Sequence, residues 1–227
     1  MAYKNSSMLN NTVLVLAVHP DDETLGCGGT LLKHKKYGDA IHWLIGTETD
    51  NTQPFFNLRQ QEIQTVSKLY DFDSVNYLGL KTTRVDEYST NELIGKLSAI
   101  MNTIKPNIVY LPFQHDVHSD HRVLFNAAYA CTKSFRYPFV KEVYMMETIS
   151  ETEFSPATKE TVFTPNRFVD ISDYFEKKLA IMKVFASEMN EFPFPRSVDN
   201  IEALARFRGA TANCNYAESF QVLKLIA

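Results

Sequence analysis

The sequence predicts an α/β fold, a mostly parallel sheet flanked by helices on both faces, and three features carry that expectation. Val13–Val18 is apolar at every position, as suits a parallel strand covered on both sides. Strand-like and helix-like segments then alternate over roughly 150 residues, the rhythm of βαβ units. In "TNELIGKLSAIMNTIKP" (90–106), Leu93, Ile94, Leu97, Ile100, Met101 and Ile104 fall on one face. That spacing is an amphipathic helix, stopped before Pro106.

Taken in order, the first strand leads to a helix from about Thr24 to Tyr37, ended by Gly38. "DAIHWLIG" (39–46) reads as a second strand, "NLRQQEIQTVSKLYDF" (57–72) as a helix and "SVNYLGL" (74–80) as a third strand. After the amphipathic helix, "NIVYLP" (107–112) is a fourth strand. "SDHRVLFNAAYACTKSF" (119–135) is a helix with Ser119 or Asp120 as its cap. "VKEVYMMETI" (140–149) reads as a fifth strand. The rhythm loosens in the Thr/Ser/Pro-containing loop "SETEFSPATKETVFTPNR". "RFVDI" (167–171) is then a short strand and "SDYFEKKLAIMKVFASEM" (172–189) a helix. "NEFPFPRS" carries two prolines and is irregular. A helix near Asp199–Ala212 and a strand in "SFQVLKLI" close the chain. No repeat or linker intervenes. Residues 12–227 are expected to form one domain behind a flexible tail, residues 1–11.

Composition narrows the function. With 227 residues, one substantial core is affordable. The net charge of −4 and the lack of any long Lys/Arg run argue against nucleic acid or an anionic membrane as partner. Cys27, Cys131 and Cys214 are far apart and form no CxxC pair, so neither a disulfide framework nor a thiolate zinc site is expected. "MAYKNSSMLNNT" lacks the apolar centre of a signal peptide, and no window of about 18 residues is apolar throughout. A cytoplasmic location without a membrane span is expected, with Asn5-Ser6-Ser7 as tail rather than glycosylation site.

Two polar clusters carry the chemistry. "HPDDE" (His19–Glu23) follows the first strand and "QHDVHSDHR" (Gln114–Arg122) follows the fourth. In an open parallel sheet, ligands bind beyond the carboxyl ends of the strands, where crossovers part. Helix capping needs one oxygen. It explains neither His19 ahead of Asp21 and Asp22 nor three histidines at 115, 118 and 121. Imidazole and carboxylate without thiolate suit Zn²⁺ or another divalent ion such as Fe²⁺. A catalytic zinc takes three protein ligands and keeps a place for water. His19, Asp22 and one histidine of the second cluster supply that set. Asp21 is left to take a proton, and another histidine to stabilise an oxyanion and protonate a leaving amine.

"AVHPDDETLGCGGTL" together with "HSDHR" resembles the PIG-L/LmbE-like family of zinc-dependent de-N-acetylases. The likeness runs from Val13 to about Ser134 and returns in "RFRGATANCNYAESF". It implies a Rossmann-like fold and removal of acetyl groups from N-acetylated amino sugars or their conjugates. By position it assigns zinc to His19, Asp22 and His121, the general base to Asp21, and the oxyanion partner and general acid to His118, oriented by Asp120. His115 receives no role. Some relatives carry a tyrosine two residues before the His118 position, where this chain has Asp116. Glu48 and Arg59 resemble pocket-lining positions, and Arg196 and Arg208 are candidates for the far wall.

Gly26, Gly28 and Gly29 follow the acids rather than the strand and do not match G-x-G-x-x-G, so close packing explains them better than a nucleotide phosphate. The expected activity is zinc-dependent deacetylation of a small N-acetylated sugar, in glycoconjugate or polysaccharide assembly. The alternatives are an amidase acting on a thiol–sugar conjugate or other N-acyl group, and a sugar-binding protein without catalysis. The complete catalytic set disfavours the latter. A homo-oligomer is compatible with the sequence.

Overall fold

The pattern of apolar strands and amphipathic helices yields one seven-stranded sheet in the computed structural model, which describes residues 10–50 and 52–227. Most of the expected tail, including Asn5-Ser6-Ser7, lies outside the described residues. Asn11, assigned to that tail, already belongs to the fold: its N–H donates to Asp39 at 2.8 Å and its carbonyl accepts from Ala40 at 2.9 Å.

The elements are β1 (Thr12–Ala17), α1 (Asp22–Lys36), β2 (Ala40–Glu48), α2 (Phe56–Tyr70), β3 (Ser74–Lys81), α3 (Thr90–Ile104) and β4 (Ile108–Leu111). There follow α4 (Ser119–Ala130), β5 (Glu142–Met146), β6 (Arg167–Asp170), α5 (Phe175–Met182), α6 (Val198–Ala212) and β7 (Ala217–Leu225). The strand order is β3-β2-β1-β4-β5-β7-β6. β1 to β5 pair in parallel, and β7 runs antiparallel between β5 and β6.

β1 is central and apolar on both sides because both sides are covered. Val13, Val15 and Ala17 join one core with residues such as Leu31, Ile63, Phe175 and Ile201, contributed by α1, α2, α5 and α6. Leu14, Leu16 and Val18 join the other, beneath α3 and α4, with Leu93, Leu97, Leu124 and Phe125. Each such side chain contributes roughly 1.5–3 kcal/mol through burial. Among the described residues no helix is long and apolar enough to cross a membrane. Cys27, Cys131 and Cys214 are all free thiols.

Three elements end at least three residues before the expected position. α4 ends at Ala130, not near 135, because the chain turns where the Thr132 hydroxyl takes the Tyr129 carbonyl at 2.9 Å. β5 ends at Met146, where its pairing with Phe220 stops. Residues 148–152 then form a turn closed by Thr152 N–H on the Thr148 carbonyl at 2.8 Å. The helix expected over 172–189 breaks after Met182, so that Phe185 is buried and the Glu188 carbonyl accepts from Arg196 Nε at 2.7 Å.

α1 is kinked at Cys27 (φ −148°, ψ 19°). Glu218 of β7 accepts from the N–H groups of Gly29 and Thr30 at 2.8 and 2.7 Å, and buried Lys178 links Glu218 (2.7 Å) to the carbonyl of Leu25 (2.9 Å). One ion pair therefore satisfies both sides of the break. Gly29 is packed against Ile171, whose Cβ would lie 2.7 Å from an added methyl, so close packing accounts for that part of the glycine run. Glu218→Ala would leave the Lys178 charge buried without a partner, and a loss of about 3–5 kcal/mol is expected. Urea unfolding checks this, and a change under about 1 kcal/mol would contradict the role given to the pair.

Candidate metal centre

The crossover from β1 through α1 leaves on one face of the sheet, and that from β4 through α4 leaves on the other. The crevice between their carboxyl ends is the switch point of a doubly wound sheet. His19 to Asp22 emerge there from β1, and Asp116 to His121 from β4. Two motifs about a hundred residues apart are thus brought together by one strand pairing.

His19, Asp22 and His121 converge. Asp22 Oδ2 lies 3.3 Å from His121 Nε2, which lies 3.3 Å from His19 Nδ1, and His19 Nδ1 lies 3.9 Å from Asp22 Oδ2. Bonds of about 2.0–2.1 Å to a tetrahedral zinc would place ligand atoms about 3.3–3.4 Å apart, so the triangle fits such an ion. A second grouping, His19, His118 and Asp120, also comes together. It is the poorer cation site, because the Asp120 carboxylate already accepts from the N–H groups of Thr83 (2.7 Å) and Val85 (3.2 Å).

The surrounding groups hold the triangle. His121 Nδ1 donates to Asp116 Oδ2 at 2.9 Å, and Asp116 Oδ1 accepts from the Thr152 hydroxyl at 2.7 Å. This fixes the tautomer that turns Nε2 towards Asp22. Asp22 accepts the His19 N–H at 2.8 Å. The sequence marked Asp116 only as standing where some relatives carry a tyrosine and gave it no role. An acid five residues before a histidine is no known signal, and only the turn of the loop makes it a partner. Asp116→Ala is expected to weaken divalent-metal affinity about 10–100-fold. A chelator competition showing unchanged affinity would remove Asp116 from this role.

The electrostatics favour a cation. Burial opposes charge on Asp22, yet the adjacent His121 and His19 hold its carboxyl at about 2. Burial likewise opposes charge on His121, but Asp22 and Asp116 raise its pKa well above the ordinary value. A divalent ion among these groups would take over the positive charge they demand. Burial, reinforced by the charges of Asp22 and Glu188, pushes the Asp21 carboxyl well above the usual carboxylate range, which makes it a stronger proton acceptor than an ordinary carboxylate. Asp21 is also strained: its φ is 138° and ψ −26°, worth about 1–3 kcal/mol for a residue other than glycine.

His118 caps α4, its Nδ1 accepting from the Asp120 N–H at 3.1 Å. A neutral His118 then carries its proton on Nε2. Burial, then the neighbouring His19, lowers its pKa. The Asp120 carboxylate, expected on His118, lies nearer to His19 Nε2, at 3.4 Å against 4.0 Å for His118 Nδ1. Asp120 thus touches His118 through its backbone and His19 through its side chain.

A cavity of about 270 Å³ opens on these groups, lined by His19, Asp21, Asp22 and His118 together with Arg59 and Arg196. Both arginines reach Glu188, Arg196 Nη2 at 3.1 Å; Arg59 also pairs with Glu62 at 3.2 Å. Glu151, in the expected loop, and Glu188, near the end of the helix expected over 172–189, both line the cavity and carried no signal in the sequence. Burial pushes the Glu151 carboxyl to about 7. Glu48 and Arg208 are elsewhere. Thr47 and Thr49 line the cavity while Glu48 borders a neighbouring depression, as strand alternation requires. Arg208, on α6, is held by Glu147, its Nε 2.8 Å from Oε2, beside a small void away from the metal triangle. His115 does not line the cavity; its ring meets Phe113 edge-on.

Residues 14–132 match the family model described as PIG-L, GlcNAc-PI de-N-acetylase. The chain is 23% identical to the diacetylchitobiose deacetylase of Thermococcus kodakarensis, covering 92% of this chain and 82% of that protein. Its fold resembles that of N,N'-diacetylchitobiose deacetylase from Pyrococcus horikoshii (TM-score 0.72, 22% identity, 93% of this chain and 83% of that one). It also resembles GalB, the 4-carboxy-2-hydroxymuconate hydratase of Pseudomonas putida (TM-score 0.74, 17% identity, 96% and 98%). At these identities the structural likeness establishes the Rossmann-like frame, and the frame alone does not fix the reaction.

Proposed function

The chain belongs to the PIG-L family of GlcNAc-PI de-N-acetylases, and on that premise we propose that it is a zinc-dependent hydrolase releasing acetate from an N-acetylated amino sugar or sugar conjugate. The observation that carries the reading is the triangle of His19, Asp22 and His121, with Asp21 beside it on the cavity. These three residues would hold the ion, which supplies Lewis-acid polarisation of the acetyl carbonyl and of water.

The chain's own groups do the rest. Asp21 accepts a proton as water adds to the carbonyl carbon. His118, with Nε2–H as donor, stabilises the oxygen on which charge develops. Because its Nδ1 is occupied by the Asp120 N–H, its one proton stays on Nε2. The departing amine therefore takes the proton that Asp21 removed from water as the C–N bond breaks. Asp116 and Asp120 keep the imidazoles of His121 and His19 in place. Arg59, Arg196, Glu188 and Glu151 form the wall that meets the sugar. Residues 12–227 act as one catalytic domain, and the expected location is cytoplasmic.

The test is acetate release from a panel of N-acetylated sugars, free, lipid-linked and nucleotide-linked, before and after metal removal. Release that stops with a chelator and returns with Zn²⁺ is expected. No acetate from any member of the panel in the metal-loaded protein would contradict the proposal. Faster release of larger acyl groups, or action on a thiol–sugar conjugate, would favour the amidase alternative.

A further inference from the structure

The strained backbone of Asp21 has a dedicated support. Its carbonyl is committed to the start of α1, accepting from the N–H groups of Thr24 and Leu25 at 2.9 Å each. Its own N–H donates to Glu23 Oε2 at 3.1 Å. Glu23 is fully buried and does not line the cavity. Its other oxygen accepts from the Thr24 hydroxyl at 2.7 Å, and Thr24 Oγ1 accepts from the Tyr70 hydroxyl of α2 at 3.2 Å. Gly28 leaves room for that hydroxyl, since an added methyl would lie 2.4 Å from it. A buried chain thus runs from Tyr70 through Thr24 and Glu23 to the peptide of Asp21.

We propose that Glu23 is a positioning residue, whose carboxyl oxygen holds the Asp21 N–H so that the Asp21 carboxylate stays turned towards the reacting carbonyl. A residue at φ 138° keeps that conformation only where its surroundings over-determine it. Of the two ends of the Asp21 residue, one is fixed by the helix and the other by Glu23. What Glu23 supplies is an acceptor at a set place, so a neutral isostere serves as well as the acid. The same chain explains why a glycine stands at 28 and a hydroxyl at 24, neither of which reaches the cavity. The inference rests on Asp21 being the proton acceptor proposed above.

The experiment compares Glu23→Ala and Glu23→Gln in three readouts: kcat and KM, bound metal, and the crystallographic backbone of Asp21. In Glu23→Ala the Asp21 φ is expected to leave its positive value, and kcat to fall about 100-fold, the scale of a misplacement of about 1 Å. KM and metal content should stay within about threefold. Glu23→Gln, whose amide oxygen can accept the same N–H, should keep the Asp21 conformation and recover most of kcat. Unchanged kcat and φ in Glu23→Ala would overturn the proposal. So would loss of metal in parallel with kcat, which would assign Glu23 to the cation site instead. If Glu23→Ala does not fold, Glu23→Gln decides alone: a loss of about 100-fold with metal bound would overturn it. If the wild type releases no acetate from any N-acetylated sugar, the function falls, while the Asp21 conformation in the two variants still decides the clamp.

Discussion

Asparagine in place of Asp21 is expected to leave the metal bound and lower kcat by about 10²–10⁴-fold, the usual contribution of a positioned general base. The amide has the same shape, and the contacts that hold the backbone at 138° are made by the peptide groups of residue 21 with Glu23, Thr24 and Leu25 rather than by its side chain, so the conformation survives. None of the three atoms of the metal triangle belongs to Asp21, and metal content should remain stoichiometric. What disappears is the ability to accept a proton. The variant carries a second signature in the metal-free protein. Because burial and the charges of Asp22 and Glu188 raise the Asp21 pKa in the folded state, ionising it opposes folding. Wild-type stability therefore declines as pH rises from the ordinary carboxylate pKa towards the raised one. Asp21→Asn lacks that decline, so it should be the more stable protein at neutral pH and lose its advantage in acid. Full turnover in the variant would remove Asp21 from the mechanism.

Alanine in place of His121 is expected to abolish stoichiometric metal binding, and with it turnover. His121 supplies one of three ligand atoms, and it is also the partner that keeps Asp22 and Asp116 compatible with burial. Removing one member of such a buried group costs about 3–5 kcal/mol, so the metal-free variant should also unfold at lower urea. His19→Ala should lose metal as well. Its side chain is more exposed than that of His121, at 21% against 0%, and the accompanying loss of stability should be smaller. His118→Ala is the control: it should keep the metal and lose turnover. Stoichiometric metal in both His19→Ala and His121→Ala, measured by elemental analysis, would refute the ligand assignment.

The sequence made the sheet legible because Val13–Val18 and the face from Leu93 to Ile104 have unmistakable periodicity, and periodicity follows directly from burial. It made the metal triangle legible because His19, Asp21, Asp22, His118 and His121 are rare neighbours in any loop, placed at the ends of strands that turned out to pair. The supporting groups were not legible. Asp116, Glu151 and Glu188 are common acids whose importance arises only when the turn at 148–152 and the break after Met182 bring them round. Glu48 and Arg208 show the converse. Each sits close in sequence to the right region, but strand alternation turns one aside and the pairing with Glu147 holds the other. Sequence spacing fixes which residues are near; the direction of a side chain depends on partners contributed from elsewhere in the chain.

Anomalous diffraction at the zinc edge from crystals of the metal-loaded protein tests the central claim most directly. One strong peak is expected within about 2.0–2.2 Å of His19 Nδ1, Asp22 Oδ2 and His121 Nε2. A peak coordinated by other side chains, or no peak on these three in a protein that releases acetate, would contradict it.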